Sequence, residues 1–133
     1  MLVFYLLARQ LGLSASYALA GVTMLAIMPT YLFSSLQPMG DVVATFWGMA
    51  ALAAALAARR HFAWMMVAGL AFGLGVLVRP TNALLLPALL VSTPLTPRAY
   101  LLLGVGGAPM VASYLAFNQL SYGRLLSTGY TDV

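Results

Sequence analysis

Residues 41–80 read DVVATFWGMAALAAALAARRHFAWMMVAGLAFGLGVLVRP. Two apolar runs, 41–58 and 62–78, are separated by Arg59-Arg60-His61; Asp41 opens the first and Arg79 closes the second. The runs are continuous rather than alternating, so they read as helices and not as barrel strands. Each is about as long as an apolar helix needs to be to cross a bilayer, roughly 17–25 residues. Pro80 breaks the chain directly after Arg79.

The same pattern recurs on either side. A span is expected at about 14–34, where Pro29 kinks or ends it, a short one at 81–94 that carries Pro87, and one at 100–117. Residues 118–133 form a polar and aromatic tail. Met1 to Ala8 is apolar but too short to span at about 1.5 Å per residue, and reads as the last turns of a helix that begins upstream. The sequence thus predicts an all-α, multi-pass transmembrane helical bundle of about five spans plus the end of a preceding helix. Residues 1–133 are read as one partial membrane domain of a longer protein.

Composition agrees. The chain is 63% hydrophobic and 6% charged, with a mean hydropathy of +0.99. Soluble domains are roughly 25% charged, and a chain this apolar could not cover its own surface with polar groups. The net charge of +4 comes from arginines that are scattered rather than clustered among aromatics, which argues against nucleic acid. With no cysteine, disulfides and thiolate metal sites are excluded. No basic segment precedes MLVFYLLA, so the start does not read as a signal peptide.

Alternating the spans places Arg9, Arg59, Arg60 and Arg98 on one side, and Asp41, Arg79, Arg124 and Asp132 on the other. The excess of positive charge makes the four-arginine side cytoplasmic. Trp64 and Tyr100 then lie near the inner interface, and Tyr31 and Tyr114 near the outer one. The expected location is the plasma membrane, with Asp41 and the tail extracytoplasmic.

Few polar residues need an explanation. Asp41 either caps a helix and meets its dipole, or points into an external cavity as a base or metal ligand. Arg79 either snorkels to the headgroups or forks onto a phosphate. His61 has no second histidine to pair with and reads as a loop residue. Asn118, Tyr122, Arg124 and Tyr130 suit a substrate rim or a solvated loop equally. Gly69 and Gly73, in a small-xxx-small pattern, suit close helix packing. GVGGAP at 104–109 lacks the strand, Lys and Ser/Thr of a phosphate loop; a close helix contact or a kink at Pro109 accounts for it.

Four pieces together resemble a known family: PTYLFSSLQPMGD (29–41), the helix ending in Arg59-Arg60, GLAFGLGVLVRPTNALLLP (69–87) and FNQLSYGRLLSTGY (117–130). The combination is similar to the membrane core of C-type (GT-C) glycosyltransferases, which include protein O-mannosyltransferase-like and aminoarabinose-transferase-like enzymes. The resemblance implies an integral-membrane enzyme. Such an enzyme takes a sugar, hexose or pentose, from a polyprenyl-phosphate carrier and transfers it outside the cytoplasm, usually with inversion. By position it implies Asp41 as the later of the family's acidic residues, taken as catalytic, and Arg79 as the residue that binds the donor phosphate, with Asn118 and Tyr130 in substrate binding. No cofactor is assigned, and a divalent metal at Asp41 is the open alternative. The partners expected are the lipid-linked sugar donor, the bilayer, and the N-terminal and C-terminal parts of the same enzyme.

The sequence departs from the family in three ways. The first external loop with the principal acidic motif should lie before Met1, the family's F-G-x-P piece reads Tyr122-Gly123-Arg124-Leu125, and the large external region expected beyond the tail is not in this stretch. The expectation is an internal piece that is inactive alone. From another class, part of a transporter or flippase-like permease would use the same helices, though no matching inverted half is visible. A non-catalytic membrane subunit is a third reading.

Overall fold

The computed structural model describes residues 1–36 and 40–125. They form helices α1 (Leu2–Gln10), α2 (Ala15–Ile27), α3 (Pro29–Leu36), α4 (Asp41–Ala57) and α5 (Trp64–Val78). A 3-10 segment, Pro80–Leu85, then runs into α6 (Leu86–Ser92), and α7 (Pro97–Tyr122) follows. No strand occurs among the described residues. The all-α expectation holds.

Local chemistry sets the boundaries. Gly12 turns the chain after α1 with a φ of 89°, and the Ser14 hydroxyl accepts from the Tyr17 amide to cap α2. Pro29 disfavours a helical conformation at Met28, whose ψ is 121°. As a result α2 and α3 meet at a 60° bend. Pro80 acts in the same way on Arg79, which leaves α5 at φ −147°, ψ 110°. Thr96 caps α7, Pro97 occupies its first turn, and Gly123 ends it in the left-handed region.

α5 is the centre of the bundle. It packs antiparallel to α4: Val78 lies against Gly40, and Gly75 lies against Trp47 and Gly48. It packs parallel to α7: Met66 lies against Gly106, Gly69 against Leu103 and Gly107, and Gly73 against Met110. A Cβ on Gly69 would overlap the Leu103 carbonyl oxygen, and one on Gly106 would overlap that of Met66. These glycines let two backbones touch, the role expected of Gly69, Gly73 and the GVGGAP stretch. Alanines of α4 (Ala51, Ala54, Ala55) and α5 (Ala68, Ala71) fill most of the rest of the core around Met65 and Leu89.

The outside is apolar. Tyr17, Met24, Ile27, Leu101, Phe117 and Leu120 are all more than half exposed. A water-facing bundle would bury these side chains before it buried alanine.

Two expectations need correction. Five spans are not established by helix length. Among the described residues α7, with 26 residues, is the one helix long and apolar enough to cross a membrane, and the bent pair α2–α3 makes a second if it is one span. α4 has 17 residues and α5 has 15. At about 1.5 Å per residue both fall short of a hydrocarbon layer of roughly 30 Å. The expected span 81–94 is split between the 3-10 segment and α6. The second correction concerns the tail. The expected last span, 100–117, is a helix over Pro97–Tyr122: the Thr96 cap starts it early, and it runs through Pro109 to end at Gly123. Residues 118–122 are therefore helical.

Candidate functional site

Asp41 is the first residue of α4, and Arg79 follows the last residue of α5. Antiparallel packing sets those two ends side by side, and Gly40 lets them close, since a Cβ there would come within 3.1 Å of Val78. The Arg79 guanidinium and the Asp41 carboxylate form an ion pair. The structure thus unites the two residues that the sequence singled out.

The electrostatics favour both ends of the pair. The carboxylate sits at the positive end of the α4 dipole, and the guanidinium at the negative end of the α5 dipole. The side chain of Asp41 is not a hydrogen-bonding cap: it lies inside the first turn, Gly40 holds the cap position, and no side-chain cap bond forms. Of the capping reading, only the dipole part survives. Asp41 is 42% exposed and Arg79 48% exposed, so a ligand can reach either group. An ion pair this open contributes about 0–1 kcal/mol to folding once solvent screening is counted.

Asn82, which the sequence reading passed over, holds the arrangement from behind. Its Nδ2 donates to the Ala44 carbonyl at 2.8 Å, a bond from the 3-10 segment to α4 one turn below Asp41. The Asn82 amide donates to the Arg79 carbonyl at 2.9 Å. Gly75 leaves room for the side chain, because a Cβ there would stand 2.9 Å from Nδ2. Gly48 leaves room for Leu85 in the same way. The signal was present in the sequence: Asn82 is the one carboxamide between Phe62 and Phe117.

Asn118 is placed differently from expectation. It is 3% exposed, on α7 rather than in a tail, and its Nδ2 donates to the Leu125 carbonyl at 3.2 Å. That bond folds the chain back over the end of α7. Because α7 runs parallel to α5, Asn118 lies toward the same end of the bundle as Arg79. Tyr130 lies outside the described residues. Tyr122 packs edge-on against Phe117, with ring centroids 6.4 Å apart.

Metal ligands are sparse. No group of three or more His, Asp or Glu side chains forms among the described residues. Asp41 offers a single carboxylate that is already matched by Arg79. These residues do not make up the oxygen-rich shell that a divalent ion requires.

An apolar groove of about 570 Å³ runs between α5, α6 and α7, lined by Phe72, Leu86, Leu90, Leu103 and Val111 among others. At the opposite end of the bundle from Asp41, a second cavity of about 490 Å³ is lined by Arg59, Phe62, Thr93 and Pro94. The arginines that close α4 and open α7 therefore share that end, as the span alternation predicted for Arg59 and Arg98.

In a comparison with known families, residues 1–123 match the dolichyl-phosphate-mannose-protein mannosyltransferase family. The match takes in every described helix. No curated protein and no solved structure matches the chain.

Proposed function

Because this chain belongs to the dolichyl-phosphate-mannose-protein mannosyltransferase family, we propose that it forms the helical core of a multi-pass membrane glycosyltransferase. Its site is the Asp41–Arg79 end of the bundle. The observation that carries the assignment is the ion pair itself. A proton acceptor and a phosphate-binding cation, drawn from two helices, meet at one accessible point. The permease alternative gains nothing from the family match.

In this reading the ion pair is the resting state. The phosphate of a polyprenyl-phosphate sugar takes Arg79 as its partner through paired charge-assisted hydrogen bonds. Asp41, released from the guanidinium, is then free to accept a proton. The acceptor hydroxyl oxygen bonds to the sugar's anomeric carbon while the bond from that carbon to the phosphate oxygen breaks. The electron pair leaves with the polyprenyl phosphate, where Arg79 offsets the growing charge. The hydroxyl proton passes to the Asp41 carboxylate. No step passes through a metal. The groove between α5, α6 and α7 gives the prenyl chain an apolar path along the bundle.

The Asp41 end faces away from the cytoplasm in this account, and the arginine-rich end faces it. The exposed apolar side chains of α2 and α7 face lipid or neighbouring apolar helices. The test is transfer from a polyprenyl-phosphate-linked sugar, with mannose as the first donor, by membranes that contain the full-length enzyme. Loss of transfer in Asp41→Asn and a weakened donor in Arg79→Ala, with both proteins inserted normally, are the expected results. Wild-type kinetics in both variants would remove the assignment.

A further inference from the structure

The cavity at the other end of the bundle has no part in this chemistry. It lies where the end of α4 and the 58–63 turn face the end of α6, and Arg59, Phe62, Val91, Thr93 and Leu95 line it. At its rim the Arg98 guanidinium stands over the Phe62 ring, 5.6 Å from the ring centroid. That contact fixes a cation beside the opening. Arg60 is exposed on the same turn. Thr93 is 3% exposed, and its hydroxyl donates to the Leu89 carbonyl at 2.8 Å. The hydroxyl oxygen's acceptor lone pairs are not used in that bond, and Thr93 adds no negative charge.

The positive charge here is not matched. The chain has two acidic residues, Asp41 and Asp132. Asp41 is committed to Arg79 at the far end, and no carboxylate lies at this end among the described residues. The site therefore selects an anion. The walls extend the argument: Val91 is 82% exposed and Leu95 is 85% exposed, so apolar surface continues from the cavity onto the side of the bundle. A ligand that matches both features has an anionic head and apolar chains.

We propose that this cavity binds the phosphate headgroup of an anionic phospholipid, with Arg59 and Arg98 on the phosphate and the acyl chains along Val91 and Leu95. Basic pockets between helices on the cytoplasmic side are suited to such headgroups. The inference rests on the bundle lying in a membrane, and on no step of sugar transfer.

The experiment titrates phosphatidylglycerol against the purified full-length protein in a neutral detergent and follows bound lipid by native mass spectrometry. Phosphatidylcholine and inorganic phosphate are run in parallel. Phosphatidylglycerol is expected to bind roughly tenfold more tightly than phosphatidylcholine. The Arg59→Gln, Arg98→Gln protein should lose about twenty-five-fold, at about fivefold per arginine. Both side chains are exposed, so this variant keeps its fold. A control protein with Arg9→Gln and Arg124→Gln loses the same charge elsewhere and should bind as wild type does. Equal weakening in the two double variants, or no preference between the lipids, overturns the site. Displacement of the lipid by millimolar inorganic phosphate would assign the pocket to a free anion and overturn the lipid. Transfer activity in Asp41→Asn is a separate readout, so failure here leaves the catalytic proposal standing, and the reverse also holds.

Discussion

Asp41 opens α4 and Arg79 closes α5, and the antiparallel packing of these helices joins the two side chains in an ion pair at one end of the bundle. Each charge sits on the helix end whose dipole favours it. Both remain open to a ligand. The predictions below follow from that geometry and from the packing that holds it.

Replacing Arg79 separates donor binding from folding. A hydrogen bond to a charged group is worth about 1.5–3 kcal/mol, so Arg79→Ala should lower kcat/KM for the lipid-phosphate donor by roughly 10- to 100-fold. The KM for the acceptor should change little. Thermal stability should stay nearly unchanged, because the ion pair is half exposed. Steady-state kinetics on both substrates and a melting curve check all three. An unaltered donor KM would reduce Arg79 to an interfacial anchor.

Asn82 acts through position rather than contact with substrate. Asn82→Leu removes the bond to the Ala44 carbonyl and leaves the half-exposed Arg79–Asp41 ion pair to tie the Arg79–Pro80 turn to α4. We expect a loss of about 1 kcal/mol in stability and a larger fall in kcat/KM. Asn82→Asp cannot donate to a carbonyl when ionised, so it should not rescue. Equal effects on melting and on activity would leave Asn82 with a purely structural role.

The glycines of α7 should behave in opposite ways. Gly104 has nothing within 4 Å of an added Cβ, so Gly104→Ala should stabilise the helix by about 0.5–1 kcal/mol. Gly106→Ala drives a methyl into the Met66 carbonyl and should destabilise by at least about 1–3 kcal/mol. Melting temperatures of the two variants in one detergent decide the matter. The result also tests the parallel α5–α7 register.

Much of this arrangement was legible in the sequence, for definite reasons. The ends of α4 and α5 could be read because charge and proline mark them: Asp41, the Arg59-Arg60 pair and Arg79-Pro80. Counting alternate spans placed Asp41 and Arg79 on one side, and the fold adds that their side chains pair. The 60° bend at Pro29 was foreseen as a kink or an end, but hydropathy does not report an angle. The true extent of α7 was hidden because Asn118 and Gln119 look like loop residues, and only the fold shows that Asn118 is buried and bonded to Leu125. Asn82 was overlooked because a single amide in a greasy run carries no period. Its meaning comes from the partner across the helix pair.

Sidedness can be tested because the chain has no cysteine of its own. A cysteine at Arg60 should react with a membrane-impermeant maleimide only after the membrane is opened, and one at Arg124 should react in intact cells. Labelling at Arg60 from outside would invert the bundle and move Asp41 to the cytoplasmic face.

The most direct measurement is the single-turnover rate of sugar transfer by Asp41→Asn beside donor affinity in the same protein. General-base catalysis supplies about 10²- to 10⁴-fold, so the rate should fall by at least about 100-fold. Donor affinity should hold or rise, because Arg79 no longer has a competing carboxylate. A rate near that of the wild type, with the donor bound as before, would contradict Asp41 as the base.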